Sequence, residues 1–227
     1  MSLPFYVPPE QLMKDRAEYA RKGIARGRAI VALEYADGIV LVGENPSGAL
    51  QKISEIYDRI AFAGVGKFNE FESLRIAGIR HADLKGYAYA RSDVTAKSLA
   101  SAYAQTLGHI FTQEVKPYEV EVMVVEVGAE AEDNRIFRVT YDGTLYDHRE
   151  YAAIGGQEEE LMAALREHYR PGGSLTDAIG WARQAFEQLA ERTLEAFEWE
   201  GAVLDRTLGR RMFRRLSAAE VFGDGTG

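Results

Sequence analysis

Short apolar runs closed by tight turns, broken twice by a pair of helix-period segments, leave this chain few ways to fold. Residues 30–35 (Ile30-Val31-Ala32-Leu33-Glu34-Tyr35) read as a strand, Asp37-Gly38 as a hairpin turn, and 39–42 as the returning strand. Residues 52–57 and 60–65 repeat the pattern around Asp58-Arg59. Two helical segments follow. The first spans about 67–84, with Phe71, Leu74 and Leu84 among its apolar positions. The second spans about 94–115, opened by Asp93 as N-cap and carrying Leu99, Tyr103, Leu107 and Phe111 at four-residue spacing.

Strands return at 119–127, 135–141 and 151–154, with Asp142-Gly143 marking another hairpin. Residues 157–168 open on three acids that suit a helix N-terminus. Residues 174–197 open on Ser174 and Asp177 in capping-box spacing. A last hairpin joins 202–205 to 212–216, turned near Leu208-Gly209. Runs of strands between pairs of helices argue against a parallel βαβ sheet. They predict an α+β fold: a four-layer αββα sandwich of two antiparallel sheets, each flanked by a helix pair.

Before the first strand, residues 1–9 carry Pro4, Pro8 and Pro9 with Phe5 and Tyr6, and read as an arm rather than a helix. Residues 10–22 read as a helix stopped by Gly23, with a thin apolar stripe of Leu12, Tyr19 and Ile24 that suits a neighbour better than a deep core. Asp15 and Glu18 read as solvated acids with Arg16 and Arg21 nearby for ion pairs. No repeat, linker or domain boundary shows, so residues 1–227 read as one domain, with 217–227 as a short tail.

Composition removes several classes. The chain has 27 Lys and Arg against 35 Asp and Glu, a net charge of −8, which makes nucleic acid and anionic membranes poor partners. The basic clusters 21–28 and 210–215 read as solvated or inter-subunit faces. There is no cysteine, hence no disulfide, no thiolate chemistry and no Cys-ligated zinc, which fits the cytoplasm. No apolar run approaches the ~20 residues of a membrane helix, and the N-terminus does not read as a signal peptide. His81, His109, His148 and His168 lack metal-ligand spacing. Residues 64–68 lack the spacer and hydroxyl of a phosphate loop. No cofactor is expected.

Several strings, in order, carry a resemblance: Pro9-Glu10-Gln11, Ala20-Arg21-Lys22-Gly23-Ile24-Ala25-Arg26, Glu44-Asn45-Pro46-Ser47, Leu50-Gln51-Lys52-Ile53-Ser54-Glu55, Gly66-Lys67-Phe68-Asn69-Glu70-Phe71, Tyr103-Ala104-Gln105-Thr106-Leu107-Gly108 and Lys116-Pro117-Tyr118-Glu119-Val120-Glu121. Over residues 4–216 the chain resembles the proteasome family, with its Ntn-hydrolase-like fold, and within it the α subunits of bacterial, actinobacterial-type 20S proteasomes. Archaeal and eukaryotic α subunits carry a longer entry signature, which only Lys14-Asp15-Arg16 and Glu18-Tyr19-Ala20 echo here.

The resemblance implies a subunit without catalysis of its own. Catalytic relatives expose an N-terminal threonine at the first strand, with its amine as base and its hydroxyl as nucleophile. The matching junction here is Gly27-Arg28, the supporting acid falls on Glu44 and the supporting lysine on Lys52. Arginine cannot form an acyl-enzyme. Ser2 would lead an arm and not a core strand, so an active amidase on the same fold is the disfavoured alternative, and an unrelated scaffold sharing the element order is a third.

The resemblance further implies homo-heptameric rings capping catalytic β subunits, with Phe5, Tyr6, Pro8 and Pro9 in a pore-closing gate. It also implies a pocket with Lys52, Gly27, Val65 and Arg26, where the C-terminal tails of a hexameric ATPase dock to feed in substrates carrying a small protein tag.

Overall fold

The computed structural model describes residues 8–47, 49–190, 195 and 198–222. The chain runs α1 (Pro9–Ala25), β1 (Ile30–Tyr35), β2 (Gly38–Glu44), β3 (Ile53–Tyr57), β4 (Ile60–Gly66), α2 (Phe68–Ala88), α3 (Ala96–Gln113), β5 (Val120–Glu126), β6 (Arg135–Val139), β7 (Leu145–His148), β8 (Tyr151–Ile154), α4 (Glu158–His168), α5 (Leu175–Ala190), β9 (Trp199–Asp205), β10 (Phe213–Leu216) and α6 (Ala218–Phe222). The strands form two five-stranded sheets, ordered β10-β9-β2-β1-β8 and β3-β4-β5-β6-β7. Every pairing is antiparallel. The two opening hairpins therefore go to different sheets.

Three apolar layers explain why the strand runs are almost continuously hydrophobic. Successive strand residues face opposite sides of a sheet, and here both sides are covered. Ile30, Ala32, Ile39 and Leu41 meet Ala61, Ala63, Met123 and Val125 between the sheets. Val31, Leu33, Val40 and Val42 pack outward on Leu161 and Leu165 of α4 and on Ile179, Ala182 and Phe186 of α5. Phe62, Val122 and Val124 pack outward on Phe71 and Leu74 of α2 and Leu99, Tyr103 and Leu107 of α3. Each large side chain buried in these layers contributes roughly 1.5–3 kcal/mol.

Several expected details change. α1 begins at Pro9, whose missing N–H suits the first helical position, and it runs through Gly23 to Ala25. Gly23 is a close-approach residue: a Cβ there would run into the Glu119 side chain. The C-terminal half of α1 does reach the core, burying Ala20 and Ile24 between the sheets, while Leu12 and Tyr19 stay exposed. Among the described residues Arg16 makes no acid pair; it donates to the carbonyls of Ile110 and Glu114 at the end of α3. Arg21 lies over the Tyr141 ring, and Glu18 pairs with Lys22.

Helix α2 extends to Ala88, and Leu84 is 70% exposed rather than core. The α3 N-cap is Thr95, whose hydroxyl accepts from the Ser98 N–H, while Asp93 accepts from the Ala90 N–H. Strand β7 and helix α6 were not anticipated. Ser217 and Glu220 cap α6 reciprocally, as Ser174 and Asp177 do for α5.

Gly66 ends β4 at φ 99°, and a Cβ there would collide with the Glu119 carbonyl. Gly66→Ala is expected to cost about 2–3 kcal/mol in denaturant unfolding. Gly180→Ala, on α5 with nothing near the added carbon, is expected to stabilise by about 0.5–1 kcal/mol. Equal effects would contradict this backbone account.

Candidate functional site

The link from α1 to β1 brings polar groups to one end of the sandwich. The Gly27 N–H donates to the Ile24 carbonyl at 2.8 Å, and the Gly27 carbonyl accepts from Gly156 at 3.3 Å. A Cβ on Gly27 would lie 3.0 Å from the Gly66 nitrogen, so the residue is held where two backbones nearly touch. Next in the chain, the Arg28 guanidinium lies 2.8 Å from the Glu44 carboxylate at the end of β2. The Arg28 side chain is 57% exposed and that of Glu44 only 11%.

Lys52 reaches the same spot from the β2–β3 connection. Its Nζ donates to the Arg28 carbonyl at 2.9 Å and to the Glu44 carbonyl at 3.1 Å. One ammonium thus ties together the start of β1 and the end of β2. Burial pulls the Lys52 pKa down to about 8; the Glu200 and Glu44 carboxylates oppose that fall and Arg28 adds to it. The ammonium form dominates below that value and is lost above it.

The connection carrying Lys52 is itself held. Glu200, on β9, accepts from the backbone N–H groups of Lys52 and Ile53 at 3.0 Å and from the Asn45 side chain at 2.7 Å. The Asn45 amide also donates to the Leu50 carbonyl at 2.6 Å. Arg215 on β10 donates to Gln51 and to the Ile53 carbonyl, and its guanidinium lies 3.4 Å from Glu200.

A cleft of about 380 Å³ opens beside these groups, with Arg26, Gly27, Arg28 and Glu44 on one wall and Leu161, Phe186 and Leu189 on the other. A second, of about 390 Å³, lies across α1 and includes Tyr19, Arg26, Gly27, Gly66 and Lys67. Arg26 and Gly27 form the ridge between them. Among the described residues no Ser, Thr or Cys lines either cleft, and the hydroxyl in the second is the phenol of Tyr19. A cationic rim can instead hold a carboxylate through charge-assisted hydrogen bonds.

The structure therefore gathers Arg26, Gly27 and Lys52 around Arg28. Val65 differs: its side chain is fully buried in the inter-sheet core, against Gly155, and it can bound a site only through its backbone. Phe5 and Tyr6 lie outside the described residues. Pro8 accepts from the Leu12 N–H and Pro9 opens α1. Glu200 and the bracing role of Asn45 were not anticipated. Among the described residues no group of His, Cys, Asp and Glu is arranged to hold a metal ion, and no helix is long and apolar enough to cross a membrane.

In a chain labelled with 13C-lysine, the Lys52 ε-carbon is expected to titrate with a midpoint near 8, assigned by loss of that signal in Lys52→Met. A midpoint in the ordinary lysine range, near 10.5, would contradict the burial described here.

The profile of the family described as Proteasome subunit matches residues 24–203. The chain is similar to the Proteasome subunit alpha of Thermomonospora curvata, at 57% identity over 222 residues that cover 97% of this chain and 96% of that protein. It is similar to the proteins of the same name from Kineococcus radiotolerans, at 57% identity with 98% of each chain covered. The same holds for Parafrankia sp., at 54% identity with 98% of this chain and 96% of the relative covered. The matched stretch runs from the end of α1 into β9 and takes in the whole second sheet; the chain belongs to the proteasome subunit family.

Proposed function

We propose that this chain is a non-catalytic α subunit of a bacterial 20S proteasome. Seven copies form an outer ring over catalytic β subunits, the N-terminal arms gate the pore, and the cationic end of the sandwich receives the C-terminal carboxylates of a hexameric ATPase. The particle is cytoplasmic in this reading and degrades proteins delivered with a small protein tag. The chain is not a peptidase by itself; it serves a threonine-type endopeptidase complex.

One observation carries the reading. Where catalytic relatives place the nucleophile, this chain has Arg28, engaged with Glu44, while the neighbouring lysine is retained and clamped to two strand-end carbonyls. With two N–H bonds directed at those carbonyls, an ammonium has one further donor for a partner carboxylate. Arg26 and Lys67 add positive charge, and Gly27 leaves room for a tail's backbone to approach. The docking pocket of α rings lies between neighbours, so a single chain supplies only one of its walls.

Exposed apolar side chains support assembly. Leu12, Met13 and Tyr19 are exposed along α1, and Leu84, Tyr87 and Tyr89 near the end of α2, with Tyr87 93% exposed. Exposed large apolar side chains gathered on two helices suit an interaction surface. No observation favours the amidase alternative, because position 28 lacks a nucleophile.

Lys52→Ala is expected to leave ring mass unchanged and to weaken ATPase-stimulated degradation of a folded, tagged protein about tenfold at sub-saturating ATPase, the loss of one charge-assisted hydrogen bond. Native mass spectrometry and degradation assays on the same preparation measure both, and unchanged stimulation would remove the docking role. Deleting residues 1–8 is expected to raise basal hydrolysis of a small fluorogenic peptide by the assembled particle; a flat basal rate would remove the gate.

A further inference from the structure

We propose that Glu200 is the positioning residue of this site: its carboxylate fastens residues 50–53 to the first sheet, so that the Lys52 ammonium is delivered to the strand-end carbonyls of Arg28 and Glu44. The consequence for docking rests on the role proposed for Lys52; the positioning does not.

Glu200 stands opposite Gly43 in the β2–β9 pairing, one residue before the end of β2. Its side chain is only 10% exposed, an expensive place for a carboxylate. It is compensated by several donors converging from outside its own strand. The Lys52 N–H lies 3.1 and 3.0 Å from its two oxygens, the Ile53 N–H 3.0 Å from Oε1 and the Asn45 amide 2.7 Å from Oε2. The Arg215 guanidinium sits 3.4 Å from Oε1.

All but Arg215 belong to the β2–β3 connection or its two ends. The backbone of the residue that carries the ammonium is thus gripped directly. Beyond Lys52 the chain is continuous with β3, whose pairing with β4 is prolonged by the Gly64 N–H donating to the Lys52 carbonyl. A carboxylate between the sheets' ends thereby sets both the register of this connection and the reach of its lysine.

Glu200 also supplies charge. The charged groups around the Lys52 ammonium are Glu200 from β9, Glu44 from β2 and Arg28 from the α1–β1 link, with Arg215 of β10 behind Glu200. Glu200 and Glu44 favour the ammonium; burial and Arg28 oppose it. The two roles move Lys52 in opposite directions: losing the charge alone lowers its midpoint, whereas losing the clamp frees it from burial and raises its midpoint.

The test uses the assembled particle and the 13C-lysine-labelled chain, with Glu200→Gln and Glu200→Ala beside the wild type. Glu200→Gln keeps an acceptor oxygen for the Lys52 and Ile53 N–H groups, so its Lys52 midpoint is expected to fall below the value near 8 through loss of charge. Glu200→Ala, which removes the clamp, is expected to raise the midpoint as Lys52 leaves its buried position. ATPase stimulation of Glu200→Gln, taken as a ratio to wild type at each pH, is expected to drop several-fold at pH 7.5 and to recover toward pH 6.5 as the ammonium is restored. Melting temperature and ring mass monitor folding. If Glu200→Gln does not assemble, Glu200→Asp, which keeps the charge but withdraws it by one methylene, is expected to lower the midpoint less, in the same direction. An unmoved Lys52 midpoint in the variants that assemble, or a midpoint that falls in Glu200→Ala, overturns the proposal. A midpoint raised in Glu200→Ala with stimulation untouched in both that variant and Lys52→Ala supports the positioning and removes the docking role instead.

Discussion

Because the central strands of both sheets are covered on both faces by apolar packing, polar chemistry gathers at strand ends and along the edge strands. Ile30 and Ala32 face the inter-sheet core while Val31 and Leu33 face the helices, and the other central strands behave alike. A buried face has no place for an unpaired charge. At one end the sandwich is closed by α1, which inserts Ala20 and Ile24 between the sheets. Nearby, Lys116 lies 2.8 Å from Glu70 and 2.9 Å from Glu119, the residue over which Gly23 crosses. A second ionic group spans the layers: Arg138 engages Glu121 and Glu158, and Glu121 accepts from the Gly155 N–H. Burial raises the Glu158 carboxyl to about 7 and raises Glu121 as well, with Arg138 opposing both shifts.

Legibility in the amino-acid string followed this burial. Strands covered on both faces read as long apolar runs, and Asp37-Gly38 and Asp142-Gly143 announced their turns, so the two-sheet architecture could be anticipated. Strand β7, Leu145–His148, is exposed along most of its length and has no such run; it is held by pairing with β6. Helix α6 is short, and its only local sign was the Ser217–Glu220 spacing that caps it. Gly23 looked like a helix stop because close approach to Glu119 cannot be inferred from neighbours along the chain.

The site was half visible for the same reason. Arg26, Gly27 and Lys52 were reached through family likeness, and the structure brings them together around Arg28. Val65 was reached the same way but spends its side chain on the core. Glu200 carried no local signal. An acid followed by Gly201 resembles a loop, and its partners Lys52 and Ile53 lie 148 and 147 residues away. Contacts of that range are decided by sheet order, with β9 beside β2, and not by any short motif.

An arginine at the head of β1, a lysine held by strand-end carbonyls and apolar side chains exposed on α1 and α2 are the features on which the proposed subunit role rests. The most direct measurement is native mass spectrometry with peptidase assay of the chain alone and co-expressed with a proteasome β subunit. The account predicts no amide hydrolysis by this chain on its own, and stacked seven-fold rings whose activity arrives with the β subunit. Turnover by the purified chain, or a monomer that ignores the β subunit, would contradict it.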